Sequence, residues 1–180
     1  MPSSDSETRQ KIALDASAFY AGIPFLSGSV AEFYTTTEIL SEVRHIKQSL
    51  GAIEALTDSR LLVVLEPSKG YLDKVDALST RTGDRSRLSD ADISILALAL
   101  ERGLVLASDD YAVSNVGISA GIKVLSSAGK GIREARNYSA YCSGCSKGFS
   151  PNLAECPQCG NRLRRKYKKS GGALGKSRPS

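Results

Sequence analysis

The 180 residues predict an α/β domain, a parallel sheet with helices on both faces, followed by a small C-terminal zinc ribbon. Three features carry this. Short apolar runs alternate with amphipathic stretches from residue 11 to residue 126, the pattern of a helix-covered parallel sheet. All the cysteines lie between residues 142 and 159, in two C-x-x-C pairs. Charge divides near the same place: residues 1–136 carry 15 Lys/Arg and 18 Asp/Glu, whereas residues 137–180 carry 9 Lys/Arg and 1 Asp/Glu. An acidic unit of net −3 therefore precedes a basic unit of net +8.

The length allows one ordinary domain plus a minidomain, not two full cores. With 41% hydrophobic and 24% charged residues the composition is globular. No stretch approaches the roughly 18 uninterrupted apolar residues of a membrane span. The N-terminus, MPSSDSETRQ, is polar and lacks the apolar core of a secretory signal. The expected setting is therefore intracellular and cytoplasmic. A basic unit beside an acidic one fits a polyanionic partner that one unit grips and the other acts on; the alternative is a solvated tail.

KIALD (11–15) reads as a strand running into ASAFYAG. The segment 33–59 reads mostly as helix, because Ile39, Val43, Ile46, Leu50 and Ile53 repeat at three- and four-residue steps and form one apolar stripe. RLLVVLEP (60–67) is a buried strand and SKGYLDKVDALSTR (68–81) a helix. After the loop TGDRSRLS, residues 90–103 form a helix that is apolar nearly all round and closed by Gly103; LVLAS (104–108) is the next strand. DDYAVSNVGISAG starts another helix, and IKVLS (122–126) is the last strand.

In parallel sheets the ligand site lies beyond the carboxyl ends of the strands. Asp15 closes the first strand, and Asp109 and Asp110 follow LVLAS directly. Asp92 lies in the first turn of the helix leading into that strand. Glu42 sits about 60° from Ile39 around its helix, which predicts partial burial. Carboxylates brought together this way repel or take up protons unless a hard divalent cation such as Mg²⁺ or Mn²⁺ binds them. Each acid also has a structural role open to it. Ser89 and Asp92 stand in the relation of a capping box, Thr35 and Glu38 do the same, and Asp109 is placed to cap a helix.

C-x2-C-x10-C-x2-C favours four-thiolate zinc coordination over two disulfides, since each pair brings two soft ligands to one side of a tight turn. The ligands are Cys142, Cys145, Cys156 and Cys159, with Gly144 and Gly160 easing the turns and Pro157 stiffening the second. Phe149 and Leu153 are the apolar plugs of a core too small to fold unaided, so zinc supplies most of its stability. Four thiolates and one Zn²⁺ leave about −2 on the site. Lys147, Arg162, Arg164, Arg165, Lys166, Lys168 and Lys169 still make the module positive, and Tyr141, Phe149 and Tyr167 offer stacking surfaces for unpaired bases. Arg81, Arg85 and Arg87 in the loop RTGDRSR are either a second RNA contact or a solvated loop.

LDASAFYAG, YTTTEILSEV, LSDADISILALALERG and LASDDYAVSNVG resemble, in order, the acidic motifs of PIN-domain ribonucleases. With GIREARNY and the following four-cysteine ribbon, the chain resembles the Nin-one-binding family of archaea and eukaryotes from about residue 11 to residue 166. The resemblance implies a PIN-type, Rossmann-like sheet and an endonuclease that makes the final 3′ end of small-subunit ribosomal RNA. It places the family's metal-binding acids on Asp15, Glu42, Asp92 and Asp110, with Asp109 as a neighbour that can share the role and Ser108 keeping a hydroxyl near the metal. It implies one structural Zn²⁺, one or two catalytic Mg²⁺ or Mn²⁺, and hydrolysis leaving a 3′-hydroxyl and a 5′-phosphate. Precursor rRNA in the pre-small subunit is the implied partner, with a KH-domain assembly factor as a guide. His45, the only histidine, is not expected to act as a base. A toxin-type PIN ribonuclease and a noncatalytic assembly scaffold are the rival readings; the ribbon argues against the first and the full set of acids against the second. The expected division is a disordered N-terminus (1–10), a PIN nuclease domain (11–126), a linker (127–140), a zinc ribbon (141–167) and a basic disordered tail (168–180).

Overall fold

A computed structural model describes residues 9–26, 31–44, 50–127, 136–151 and 153–169. Expectations for the N-terminus before residue 9, His45, Ile46, most of the linker and the tail after residue 169 lie outside the described residues. The strands are β1 (Gln10–Leu14), β2 (Ala31–Thr35), β3 (Leu62–Val64), β4 (Val105–Ala107), β5 (Val124–Leu125), β6 (Arg136–Tyr141), β7 (Gly148–Phe149) and β8 (Arg164–Lys169). The helices are α1 (Ala16–Tyr20), α2 (Ile23–Leu26), α3 (Thr37–Arg44), α4 (Leu50–Asp58), α5 (Lys69–Thr82), α6 (Asp90–Arg102) and α7 (Tyr111–Ser119), with a 3-10 turn at Arg85–Arg87.

The first five strands form one parallel sheet in the order β3-β2-β1-β4-β5. Successive strand residues face opposite sides, and consecutive pairs are buried: Ala13 and Leu14, Phe33 and Tyr34, Leu106 and Ala107. Both faces are therefore covered, as expected for this class. α6 is buried from Ile93 to Ala99, which accounts for its nearly all-round apolar sequence, and Gly103 caps it in the left-handed conformation. The order reverses between β1 and β4, so the crevice at a switch point opens at the carboxyl ends of these two strands.

Two elements differ from expectation. The start of the predicted long helix is a strand, β2, paired on both sides by β1 and β3. Thr35 consequently lies in the sheet and donates from Oγ1 to the Leu14 carbonyl; the T-x-x-E box with Glu38 does not form, and Thr36 Oγ1 accepts from Ile39 N at 3.4 Å instead. The second difference concerns the ribbon, a three-stranded antiparallel sheet in the order β7-β6-β8. Its ladder runs from Tyr141↔Arg164 to Arg136↔Lys169, taking in residues read as linker at one end and as tail at the other.

Candidate active site

Asp15 ends β1 and caps α1. Its Oδ1 accepts from Ala16 N at 2.7 Å, and its Oδ2 accepts from Ser17 Oγ at 2.8 Å and Ser108 Oγ at 2.7 Å. The two hydroxyls work as a pair across the strand ends: Ser17 Oγ also accepts from Asp109 N at 2.9 Å, and Ser108 Oγ from Asp110 N at 3.1 Å. A carboxylate that is only 3% exposed is thus fixed by donors from both β1 and β4 flanks. Sequence reasoning named Ser108 but missed Ser17, whose only signal was its position two residues after an acid at a strand end.

Asp110, not Asp109, caps α7: its Oδ1 accepts from Ala112 N at 2.6 Å and Val113 N at 3.0 Å. Asp109 turns toward the end of β5, where it accepts from Ser126 Oγ at 2.7 Å, Ser127 N at 2.9 Å and Ser127 Oγ. Asp92 completes the capping box with Ser89, accepting from Ser89 N at 2.8 Å and donating from its own N–H to Ser89 Oγ at 3.1 Å. The cap engages only Oδ2, so capping and ligation do not compete for the same oxygen. Burial pushes the Asp92 carboxyl above its ordinary value; the Ser89 hydrogen bonds oppose this, and the charges of Asp15 and Asp110 add to it. Three acids from distant parts of the chain thus share one electrostatic neighbourhood.

Glu42 is exposed and accepts no hydrogen bond among the described residues, contrary to the partial burial expected. Leu40 is buried along with Ile39 and Val43, which moves the centre of the buried face to roughly 105° from Glu42. Asp92 Oδ1 and Asp110 Oδ2 accept no hydrogen bond among the described residues, and the charges of Asp15 and Asp110 bear on Asp92, a repulsion that a hard cation would relieve.

In the ribbon the four Sγ atoms lie within 4.8 Å of one another, the one group of three or more potential ligands found placed to hold an ion among the described residues. Cys142–Cys159 and Cys145–Cys156 sulfurs are 3.4 and 3.6 Å apart, close to the roughly 3.8 Å edge of a tetrahedron with 2.3 Å Zn–S bonds. Ser146 and Gly160 each follow the second cysteine of a pair and adopt φ 56° and 72°, so each turn is followed by a left-handed residue. Gly144 serves differently: a Cβ there would strike the Asn161 side chain. Backbone N–H donation, first from Cys145, lowers the Cys142 thiol to about 6. The Asn161 N–H pulls the Cys159 thiol down, but Cys142 and Cys156 outweigh it and raise that thiol to about 11. Leu153, expected as a plug, is 44% exposed; Ala140, Cys142 and Cys156 are buried instead.

The pleat divides the expected RNA-binding residues. Arg164, Lys166 and Tyr141 share one face of β6–β8, with Lys166 Nζ 3.5 Å from the Tyr141 ring centroid. Arg165 lies on the other face and donates to Asp84 Oδ1 at 2.6 Å and the Gly83 carbonyl at 2.9 Å. Lys147 and Arg162 are exposed, as is Arg87. Arg85 is tied to Asp76 and to the Leu88 carbonyl, so its guanidinium helps to hold the loop.

A family profile described as PIN domain of ribonuclease matches residues 12–101. Endoribonuclease Nob1 of Pyrococcus abyssi is 35% identical over 86% of this chain and 92% of its own length. Endoribonuclease Nob1 of Methanocaldococcus jannaschii is 35% identical over 87% of this chain and 78% of its own. Similarity to ribonuclease VapC1 of Thermoplasma acidophilum, at 32% identity, is confined to 61% of this chain and 56% of that protein. The profile spans Asp15, Glu42 and Asp92, both Nob1 proteins match more than four fifths of this chain, and the chain belongs to the Nob1 endoribonuclease family of PIN-domain proteins.

Proposed function

We propose that the chain is a divalent-metal-dependent endoribonuclease that cleaves precursor rRNA at the 3′ end of the small-subunit (16S) rRNA. What supports this reading is the electrostatic neighbourhood that Asp92 shares with Asp15 and Asp110, in a chain that also carries a four-cysteine cluster. Asp15, Asp92 and Asp110 hold one or two Mg²⁺ or Mn²⁺, with Glu42 reaching in from the exposed side of α3. Such ions supply an activated water and offset the charge that builds on the phosphate during in-line attack. The protein's own contribution is placement. Ser17 and Ser108 fix one Asp15 oxygen, the α7 N-terminus fixes one Asp110 oxygen, and Ser89 fixes one Asp92 oxygen. These contacts limit the reorganisation needed when substrate arrives.

Affinity comes from the other module, because an acidic crevice does not attract RNA. One structural Zn²⁺ on Cys142, Cys145, Cys156 and Cys159 shapes the ribbon; Arg164, Lys166, Arg162 and Lys147 engage phosphates, and Tyr141 offers a stacking surface. Precursor rRNA in the pre-small subunit is the partner, and a KH-domain assembly factor guides the enzyme to it in the cytoplasm. No described helix is long and apolar enough to cross a membrane.

The test uses zinc-loaded protein, Mn²⁺ and an end-labelled RNA spanning the 3′ end of the small-subunit precursor, with Asp15→Asn as control. A single metal-dependent cut at the mature end, absent in the variant, is expected. Equal cutting by parent and variant sinks the catalytic assignment.

A further inference from the structure

The ribbon is seated on the nuclease domain through contacts that the cleavage chemistry does not use. Asp84 is fully buried, and its two oxygens are held from different modules: Oδ1 by Arg165 Nη2 at 2.6 Å and Oδ2 by Asn115 Nδ2 at 2.6 Å. Asn115, also fully buried, pairs its amide with both backbone groups of Arg136, accepting from its N–H at 2.6 Å and donating to its carbonyl at 2.8 Å. Tyr138 OH donates to Tyr111 OH at 3.0 Å. Gly83 lets the surfaces meet: a Cβ there would lie 2.8 Å from the Pro151 ring and 3.0 Å from the Tyr138 carbonyl oxygen.

These contacts fall beside the candidate acids. Tyr111 directly follows Asp110, and Asn115 lies five residues after Asp110, roughly 7–8 Å along the helix axis. Asp84 belongs to the turn that leads into Ser89 and Asp92 at the start of α6. The opposite face of β6–β8 carries Arg164, Lys166 and Tyr141. The contacts thus tie the sheet that carries the grip to the elements that carry the acids.

We propose that Gly83 and Asp84 are positioning residues: by seating the ribbon on the ends of α5 and α7 they fix the distance from the RNA grip to the carboxylates, and so select the phosphate that is cut. The selection rests on the ribonuclease reading above; the docking does not. Gly83→Ala supplies a sharp test because a matched control exists. Gly83 and Gly103 both close helices with positive φ, 78° and 63°, but a Cβ at Gly103 meets nothing within 4 Å. Gly83→Ala and Gly103→Ala therefore share the backbone strain, and only the first pushes against the ribbon. Asp84→Asn is a second variant that removes the charge while keeping the shape.

Two readouts are taken on the full-length, zinc-loaded protein. ¹⁵N relaxation should give one rotational correlation time for both modules in the parent and Gly103→Ala, and two in Gly83→Ala and Asp84→Asn. On the precursor RNA with Mn²⁺, the parent and Gly103→Ala should cut at one phosphate. Gly83→Ala and Asp84→Asn should spread the cut over neighbouring phosphates and lose roughly 10- to 100-fold in kcat/KM, while cutting a short unstructured RNA, too short to reach both modules, at the parent rate. Two correlation times in the parent overturn the docking. Gly83→Ala cutting at the parent's phosphate with the parent's kcat/KM overturns the positioning role. A parent that cuts neither RNA overturns the ribonuclease reading and the selection with it, whereas relaxation of Gly83→Ala still decides the docking.

Discussion

Ser108 reaches from the end of β4 to Asp15 at the end of β1, donating to Oδ2 at 2.7 Å while accepting the Asp110 N–H at 3.1 Å. One hydroxyl thus sets the positions of two candidate ligands. Ser108→Ala leaves the Asp110 N–H without its partner and frees one Asp15 oxygen, so a stability loss of about 1–2 kcal/mol in urea melts is expected. Mn²⁺-dependent cleavage should fall roughly 10- to 100-fold, as for other groups that orient metal ligands. Ser108→Thr keeps the hydroxyl and should stay near the parent in both assays; a Thr variant as impaired as Ala would refute the role.

Asp92 predicts a pH effect whose sign is opposite to that of a salt-bridged acid. Its folded-state carboxyl titrates above the ordinary value, chiefly because of burial. The folded protein therefore binds more protons than the unfolded chain between the ordinary value and the raised one, and stability falls as pH rises through that window. Metal-free Asp92→Asn should lose this slope and match or exceed the parent in stability at pH 7, while losing cleavage. Chemical melts between pH 4 and pH 7 check it. Added Mg²⁺ or Mn²⁺ should flatten the parent's slope.

Zinc affinity should rise with pH. At pH 7 the Cys142 thiol, lowered to about 6, is already a thiolate, whereas the Cys159 thiol, raised to about 11, still holds its proton. Binding must release at least that proton, so apparent affinity should increase by about tenfold or more per unit between pH 7 and pH 8. Competition titrations with a chromophoric chelator measure it. A pH-independent affinity would argue against four-thiolate coordination.

Arg164 and Arg165 are adjacent and chemically identical, yet their substitution should have different effects. Arg164→Ala should weaken RNA binding about equally across sequences and reduce the slope of log K against log salt by about 1, with unchanged stability. Arg165→Ala leaves the buried Asp84 carboxylate without its cation, so its main effect should be on stability, a loss of about 3–5 kcal/mol. Similar salt slopes and melts for the two variants would contradict the division of the faces.

Much of this was legible in the sequence. The strand alternation placed β1 and β4, and the rule that ligands lie beyond carboxyl ends then singled out Asp15 and the Asp109–Asp110 pair. Which of that pair caps α7 depended on where the helix starts, a matter of one residue. β2 went unread because Ala31–Thr35 runs into the helix start without a Gly or Pro break, and its apolar residues also suit a helix. Ser17 could not be identified until β1 and β4 were known to be neighbours. The same holds for Asp84 and Asn115: a buried acid and a buried amide whose partners lie more than 20 residues away leave no local pattern.

Arg164, Arg165 and Lys166 of β8 carry two jobs in alternation, and the alternation is a frame in the same sense as a codon's. Exchanging Arg for Lys at Arg164, or Lys for Arg at Lys166, keeps each cation on its own side, so either change is expected to have little effect. Inserting or deleting a single residue would turn Arg164 and Lys166 inward and Arg165 outward, reversing grip and anchor together. Composition and net charge would hardly register the change, yet the ribbon would have lost its seat.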